Sequence, residues 1–232
     1  MIPDFVKFEE NLKISFKDKD LLIRALTHRS YLNEHKKPGL EHNERLEFLG
    51  DAVLELVVTL FLFKKYPARA EGELTSYRAA IVNTINLGKV ALIMGVNEYL
   101  LLSKGEAKDI GRARSIILAD TVEAIIGAIY LDQGYDKAEE FIHKNIIDNS
   151  DVDGIVKNKL WLDAKSRFQE HAQDETGITP AYKLVKETGP DHDKIFTIAV
   201  FIGKTQIAIG AGPSKQEAEQ MAAERALEVK GW

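Results

Sequence analysis

His42-Asn43-Glu44-Arg45-Leu46-Glu47-Phe48-Leu49-Gly50-Asp51-Ala52-Val53-Leu54-Glu55 is the stretch on which the reading of this chain turns. Its apolar residues recur at helical spacing, and Glu44, Glu47 and Asp51 stand three and seven positions apart. At 3.6 residues per turn those offsets fall within roughly a 60° arc, so three carboxylates share one face of a helix. Like charges so placed destabilise a helix, and a hard divalent cation such as Mg²⁺, which prefers oxygen ligands, would offset the repulsion. Glu44 and Asp51 are separated by about 10 Å of helical rise, too far for one small ion, whereas Glu47 and Asp51 are one turn, about 6 Å, apart. Glu47 and Asp51 are therefore read as primary ligands, Glu44 as peripheral and Glu55 as the solvated end of the stripe. An acidic stripe facing only solvent is the plainer alternative.

A second acidic pair lies in Ile117-Leu118-Ala119-Asp120-Thr121-Val122-Glu123-Ala124-Ile125-Ile126. Carboxylates enter so apolar a helix when they are paired or bind a metal. Two helices that each offer a carboxylate pair can form an all-oxygen cage. Burial against arginine or lysine partners is the competing reading.

Outward from these segments, the first 150 residues read as helical. Helices are expected over Asp20–Arg29, Glu41–Tyr66 (closed by Pro67), Glu73–Met94, Ala113–Leu131 and Asp136–Ile147, with apolar residues three and four apart. Strand-like alternation is absent there, which predicts an all-α bundle. Turn formers over residues 150–159 read as a linker. Beyond it, Asp163 is placed to cap a helix that carries Phe168 and Ala172 and ends before Gly177. Strands follow at Ala181–Val185, Ile195–Phe201 and Gln206–Gly210, and Ser214 caps a last helix over Gln216–Val229. The expected organisation is an all-α domain (1–149), a linker (150–159) and an α-β-β-β-α domain of class α+β (160–232).

The run His42 to Leu54 closely resembles the signature of the ribonuclease III family. Ala25-Leu26-Thr27-His28-Arg29-Ser30-Tyr31 resembles the segment that precedes it in that family. Glu71-Gly72 with Leu74-Thr75, and Ser115 to Asp120 with Glu123, resemble its later motifs in order and spacing. The α-β-β-β-α segment is similar to a double-stranded-RNA-binding domain. The resemblance implies a Mg²⁺-dependent endoribonuclease, with Mn²⁺ as a substitute, that hydrolyses double-stranded RNA to 5′-phosphate and 3′-hydroxyl ends. In it Glu47, Asp51, Asp120 and Glu123 would be the catalytic metal ligands, with Glu44 and Glu71 auxiliary to the cleavage centre. It also implies a homodimer in which each protomer cuts one strand and leaves short 3′ overhangs, with Phe48 at the interface; packing in the protomer's own core is the other place for Phe48. The family's roles are ribosomal precursor processing and mRNA processing or turnover.

RNA contacts carry over in three groups. Ser166, Gln169, Glu170 and Gln173 match the first helix, which faces the minor groove, where 2′-hydroxyls need donors and acceptors. His192 and Lys194 lie in a loop that matches the family's Gly-Pro-x-His pattern. Ser214, Lys215 and Gln216 start the last helix and aim a cation and a helix N-terminus at phosphates. Gln216 stands where the family often has a second lysine, and Asp191 and Asp193 flank the loop contacts. Weaker RNA binding than in relatives is therefore expected.

Composition excludes more than it identifies. The 232 residues contain no cysteine, which excludes disulfides, thiolate metal sites and cysteine nucleophiles. A net charge of −5 argues against nucleic acid only superficially, because bound cations cancel cage carboxylates. There is no secretory signal and no run of roughly 18 apolar residues, so a cytoplasmic protein without membrane or organic cofactor is expected. His28 reads as a structural hydrogen-bonding residue, His42 as a cap or surface residue, and no serine–histidine–aspartate set stands out. A non-catalytic double-stranded-RNA binder would be expected to lack a cage carboxylate. A di-metal carboxylate oxidase would carry Glu-x-x-His motifs, which are missing near the acidic pairs.

Overall fold

A computed structural model describes residues 3–35, 39–108, 111–159, 161–190 and 194–232. It divides into two compact units, Met1–Val156 and Lys157–Trp232. Among the described residues no helix is long and apolar enough to cross a membrane.

The first unit is helical. It comprises α1 (Phe5–Leu12), α2 (Lys19–Ala25), α3 (Arg29–Glu34), α4 (Glu44–Lys65), α5 (Glu71–Val82), α6 (Thr84–Ile93), α7 (Arg112–Gln133), α8 (Tyr135–Ile142) and α9 (Val152–Lys157), with a π-helical turn over His143–Ile147. Helix α7 is the axis, packed against α2, α4, α6 and α8. Its Val122, Ala124, Ile125, Ile126, Ala128 and Ile129 are fully buried.

Two expected helices are broken, each by a local hydrogen bond that helical periodicity does not encode. The segment 20–29 divides because Thr27 bridges to Leu101 and the His28 ring accepts from the Ser30 amide as the N-cap of α3. The segment 73–94 divides at Asn83, whose side chain caps α6 by accepting from the Asn86 amide. Helix α1 went unread because its eight residues are too short for a clear pattern. It is held by buried Glu9, whose carboxylate accepts from the Phe16 amide (2.7 Å) and pairs with Lys19 (2.6 Å). Most of the expected linker is helix α9. Its Val152 is buried, and Asp153 accepts from Tyr66 Oη (2.7 Å) and Lys65 Nζ (2.9 Å).

The second unit is α10 (Ala164–Thr176), β1 (Ala181–Thr188), β2 (Ile195–Ile202), β3 (Thr205–Gly212) and α11 (Lys215–Lys230). The antiparallel sheet has the order β1-β2-β3. Asp163 caps α10 by accepting from the Ser166 amide, and Gly177 (φ +68°) ends it in the left-handed conformation that glycine adopts freely. Phe168, Ala172, Val200, Ala222, Ala223 and Leu227 form its core.

Candidate functional site

Helices α4 and α7 cross with their backbones almost in contact. A Cβ at Gly50 would lie 1.8 Å from the Glu123 carbonyl oxygen, and one at Gly127 would lie 2.2 Å from that of Leu46. Only glycine at both positions lets the helices approach this closely. The approach brings one turn of α4 beside one turn of α7. Carboxylate oxygens of Glu47, Asp120 and Glu123 lie within 4.8 Å of one another there.

The electrostatics of this group are adverse. Glu123 is pushed up to about 8, first by burial and then by Asp51, Asp120, Glu47 and Glu55. Glu47 is pushed up to about 7 by burial, then by Asp120, Glu44 and Asp51. Asp120 is raised by burial. Among the described residues no cation is among the groups that act on these three, so none of those residues offsets their burial. Three half-buried, mutually repelling carboxylates with converging oxygens fit a hard divalent cation by donor type and spacing.

The other sequence candidates fall around this group. Asp51, expected as a primary ligand, lies outside the three that converge. It sits one turn along α4, where burial and then Glu55 raise its pKa and Arg78 of α5 opposes them, yet its charge still reaches Glu123. Glu44 opens α4 and lies 3.7 Å from both Arg29 and His42, beside the cage rather than in it. Glu71 is exposed at the start of α5 and accepts from Thr75 Oγ1. Phe48 is 80% exposed, so it does not pack in the protomer's core. Gly50 and Gly127 were missed as determinants of the site. Glycines inside helices were the available signal, since such a position usually has a packing reason.

A pH dependence follows. A carboxylate whose folded pKa is raised binds more protons folded than unfolded, so stability falls as pH rises from its unfolded to its folded value. For Glu47 and Glu123 that span runs from 4.5 to about 7 and about 8. His28, lowered by burial, contributes the opposite sign below the ordinary histidine value of 6.5. In EDTA the melting temperature is therefore expected to fall between about pH 6.5 and pH 8, and a divalent cation should reverse the fall. A melting temperature that rises across that window without metal would contradict the repulsive cage.

In the second unit, Ser166, Gln169, Glu170 and Gln173 border one surface depression with Leu162 and Asp174. The Ser166 hydroxyl donates to Asp163 (2.7 Å), and Glu170 pairs with Lys159. Lys194 pairs with Glu187 at 3.0 Å. Ser214 caps α11 by accepting from the Glu217 amide, Lys215 lies over the Phe196 ring, and Gln216 is exposed. His192, with Asp191 and Asp193, lies outside the described residues.

Comparison with known proteins agrees with this arrangement. A Ribonuclease-III-like family model matches residues 18–150, and the double-stranded RNA binding motif matches residues 164–230. The chain is 46% identical over 223 residues to Ribonuclease 3 of Borreliella burgdorferi, covering 96% of this chain and 90% of that protein. It is 47% identical over 225 residues to Ribonuclease 3 of Natranaerobius thermophilus, covering 97% and 96%. Among solved structures, the nuclease domain of ribonuclease III from Campylobacter jejuni superposes with a TM-score of 0.58 at 43% identity, covering 65% of this chain and 98% of that one. Relatedness at this level over nearly the whole length leaves one assignment: the chain belongs to the ribonuclease III family of endoribonucleases.

Proposed function

We propose that this protein hydrolyses double-stranded RNA at the α4–α7 cage with Mg²⁺ as its cofactor, leaving 5′-phosphate and 3′-hydroxyl ends. The observation that carries the reading is the convergence of Glu47, Asp120 and Glu123 within 4.8 Å, with no compensating cation among the described residues. Those three, with Asp51, would hold the metal. When bound there, Mg²⁺ supplies neutralisation of phosphate charge and activation of water. The protein's part is to hold the carboxylates close on two helices that cannot drift apart. Because Glu123 is pushed up to about 8, its protonated form is favoured near neutrality, and it would have to lose that proton to hold a cation. Glu44 and Glu71 keep auxiliary positions beside the cleavage centre.

The second unit holds the substrate. The α10 face of Ser166, Gln169, Glu170 and Gln173 offers hydroxyl, amide and carboxylate groups to minor-groove 2′-hydroxyls, and Lys215 offers charge to phosphates. This mode reads duplex shape rather than sequence, which suits processing of ribosomal precursors and mRNA. His192 and Lys194 complete the contacts from the β1–β2 loop.

A symmetric dimer would pair two cages, one for each strand, and leave short 3′ overhangs. Phe48, Leu56, Leu60 and Phe63 are exposed on one face of α4, an apolar patch of the kind that a two-fold interface buries. In the Campylobacter jejuni nuclease domain a flexible region is involved in dimer formation. Sedimentation of Phe48→Ala is expected to shift the protein towards monomer at micromolar concentration. An unchanged dimer would remove Phe48 from the interface.

The overall test is cleavage of an end-labelled, fully paired RNA of several helical turns with Mg²⁺ and with EDTA. Staggered cuts that need Mg²⁺ support the proposal, and RNA that is bound but intact in Mg²⁺ contradicts it.

A further inference from the structure

The stretch 150–159, which composition marks as a linker, is fastened at both ends, once within each unit. In the first unit both carboxylate oxygens of Asp153 are engaged, Oδ1 by the Tyr66 hydroxyl (2.7 Å) and Oδ2 by the Lys65 ammonium (2.9 Å). Tyr66 is the C-cap of α4, the helix that carries Glu47 and Asp51. An exposed ion pair holds little by itself, but three neighbours reinforce this one. Val152 is buried, and the Ser150 hydroxyl accepts from Asn86 Nδ2 (3.1 Å) and donates to the Ile146 carbonyl (2.7 Å). Asp151 caps α9 by accepting from the Gly154 amide (2.9 Å).

In the second unit Lys159 pairs with Glu170 of α10, and its carbonyl accepts from the Leu162 amide (3.0 Å). Lys159 has φ +51°, and it is one of two non-glycine residues with positive φ among the described residues. A lysine keeps that conformation only where its surroundings determine it. Between the fastenings lie Gly154-Ile155-Val156-Lys157-Asn158, and the division between the units falls inside them, after Val156. Five residues span at most about 17 Å, and less where α9 keeps them helical to Lys157. Given the double-stranded-RNA cleavage proposed above, on which this reading rests, we propose that Asp153 is a positioning residue. By fastening α9 to the end of α4 it leaves only these five residues free to turn between the units. A duplex held by the second unit is then cut only within a narrow range of distances from where it is held. Selectivity by length and position results, which readout of duplex shape does not itself provide.

The test has two arms, both on the full chain. Without RNA, the backbone amides of α9 should exchange with solvent at least tenfold faster in Asp153→Ala than in the parent, while the melting temperature stays within about 2 °C because Asp153 is exposed. With Mg²⁺, cuts are mapped on a closed RNA hairpin of about 22 base pairs, little longer than the roughly 16 that one such domain spans. A second variant, with six residues of alternating glycine and serine inserted after Lys157, keeps both fastenings and roughly doubles the free reach. Both variants should cut at least twice as many positions as the parent. For the insertion KM should rise about threefold, since effective concentration falls with about the −3/2 power of tether length, and kcat should stay within twofold. Fast exchange of α9 in the parent, exchange unchanged by Asp153→Ala, or parental cut positions in both variants would overturn the proposal. So would a markedly lower melting temperature for Asp153→Ala with parental cut positions, which would make Asp153 a stability residue alone. A parent that cuts no RNA refutes the cleavage reading instead, and the exchange result alone then decides the fastening.

Discussion

Glu123→Gln is expected to slow cleavage of double-stranded RNA in Mg²⁺ by about 10²–10³-fold, the order of effect when one preorganised charge-bearing group leaves an active site. The change keeps size and shape and removes only the ability to ionise, so α7 should keep its packing. Glu123 is the cage residue pushed furthest, to about 8, with four carboxylates acting on it. Removing its charge relieves repulsion. The variant should therefore melt no lower than the parent in EDTA near pH 8, while gaining less from added Mg²⁺. RNA binding by the second unit should persist. Cleavage that survives intact would place the chemistry elsewhere, and a collapse of stability in EDTA would show that Glu123 is kept for packing.

Gly50→Val should be the most disruptive single change in the first unit. Even the first carbon of a side chain at this position would meet the Glu123 carbonyl oxygen at 1.8 Å, its carbon at 2.6 Å and the Gly127 amide nitrogen at 2.8 Å. All three are backbone atoms of a buried helix, so no rotamer change can make room. Overpacking usually costs about 1–3 kcal/mol, and with backbone on both sides the upper end or beyond is expected. A loss of about 3 kcal/mol lowers the melting temperature of a chain this size by roughly 6–12 °C. Cleavage should vanish even below that temperature, because separating α4 from α7 takes Glu47 away from Asp120 and Glu123. Gly72→Ala is the control. Nothing lies within 4 Å of a Cβ there, and in a helix alanine is favoured over glycine by about 0.5–1 kcal/mol. Equal melting temperatures for Gly50→Val and the parent would refute the close crossing.

Much of this architecture is legible in one dimension because its causes are local. The α4 periodicity, the apolar run of α7, the Asp163 and Ser214 caps and the strand–turn–strand pattern of the second unit are properties of neighbouring residues. The misreadings also have local causes. His28 and Asn83 use their side chains to start new helices inside periodic segments, and short α1 depends on Glu9 reaching Phe16 and Lys19. The spacing of Glu44, Glu47 and Asp51 along α4 sets out one acidic face. Its partition was not legible: Glu47 converges with α7 while Asp51 stands one turn on with Glu55 and Arg78.

By itself, then, the sequence determined the two-part organisation, the family and the carboxylates worth watching, since helix periodicity, caps and motif order are written along the chain. Only the tertiary structure decided which carboxylates meet, that no lysine or arginine among the described residues compensates them, and that Phe48 faces outward. It also decided that Asp153 fastens α9 to the end of α4. The physical reason is the separation between the partners. Glu47 and Glu123 are 76 residues apart, and their meeting depends on two glycines, each in a different helix, that let backbones touch. Such a crossing is a property of the packed pair of helices, and neither helix carries it alone.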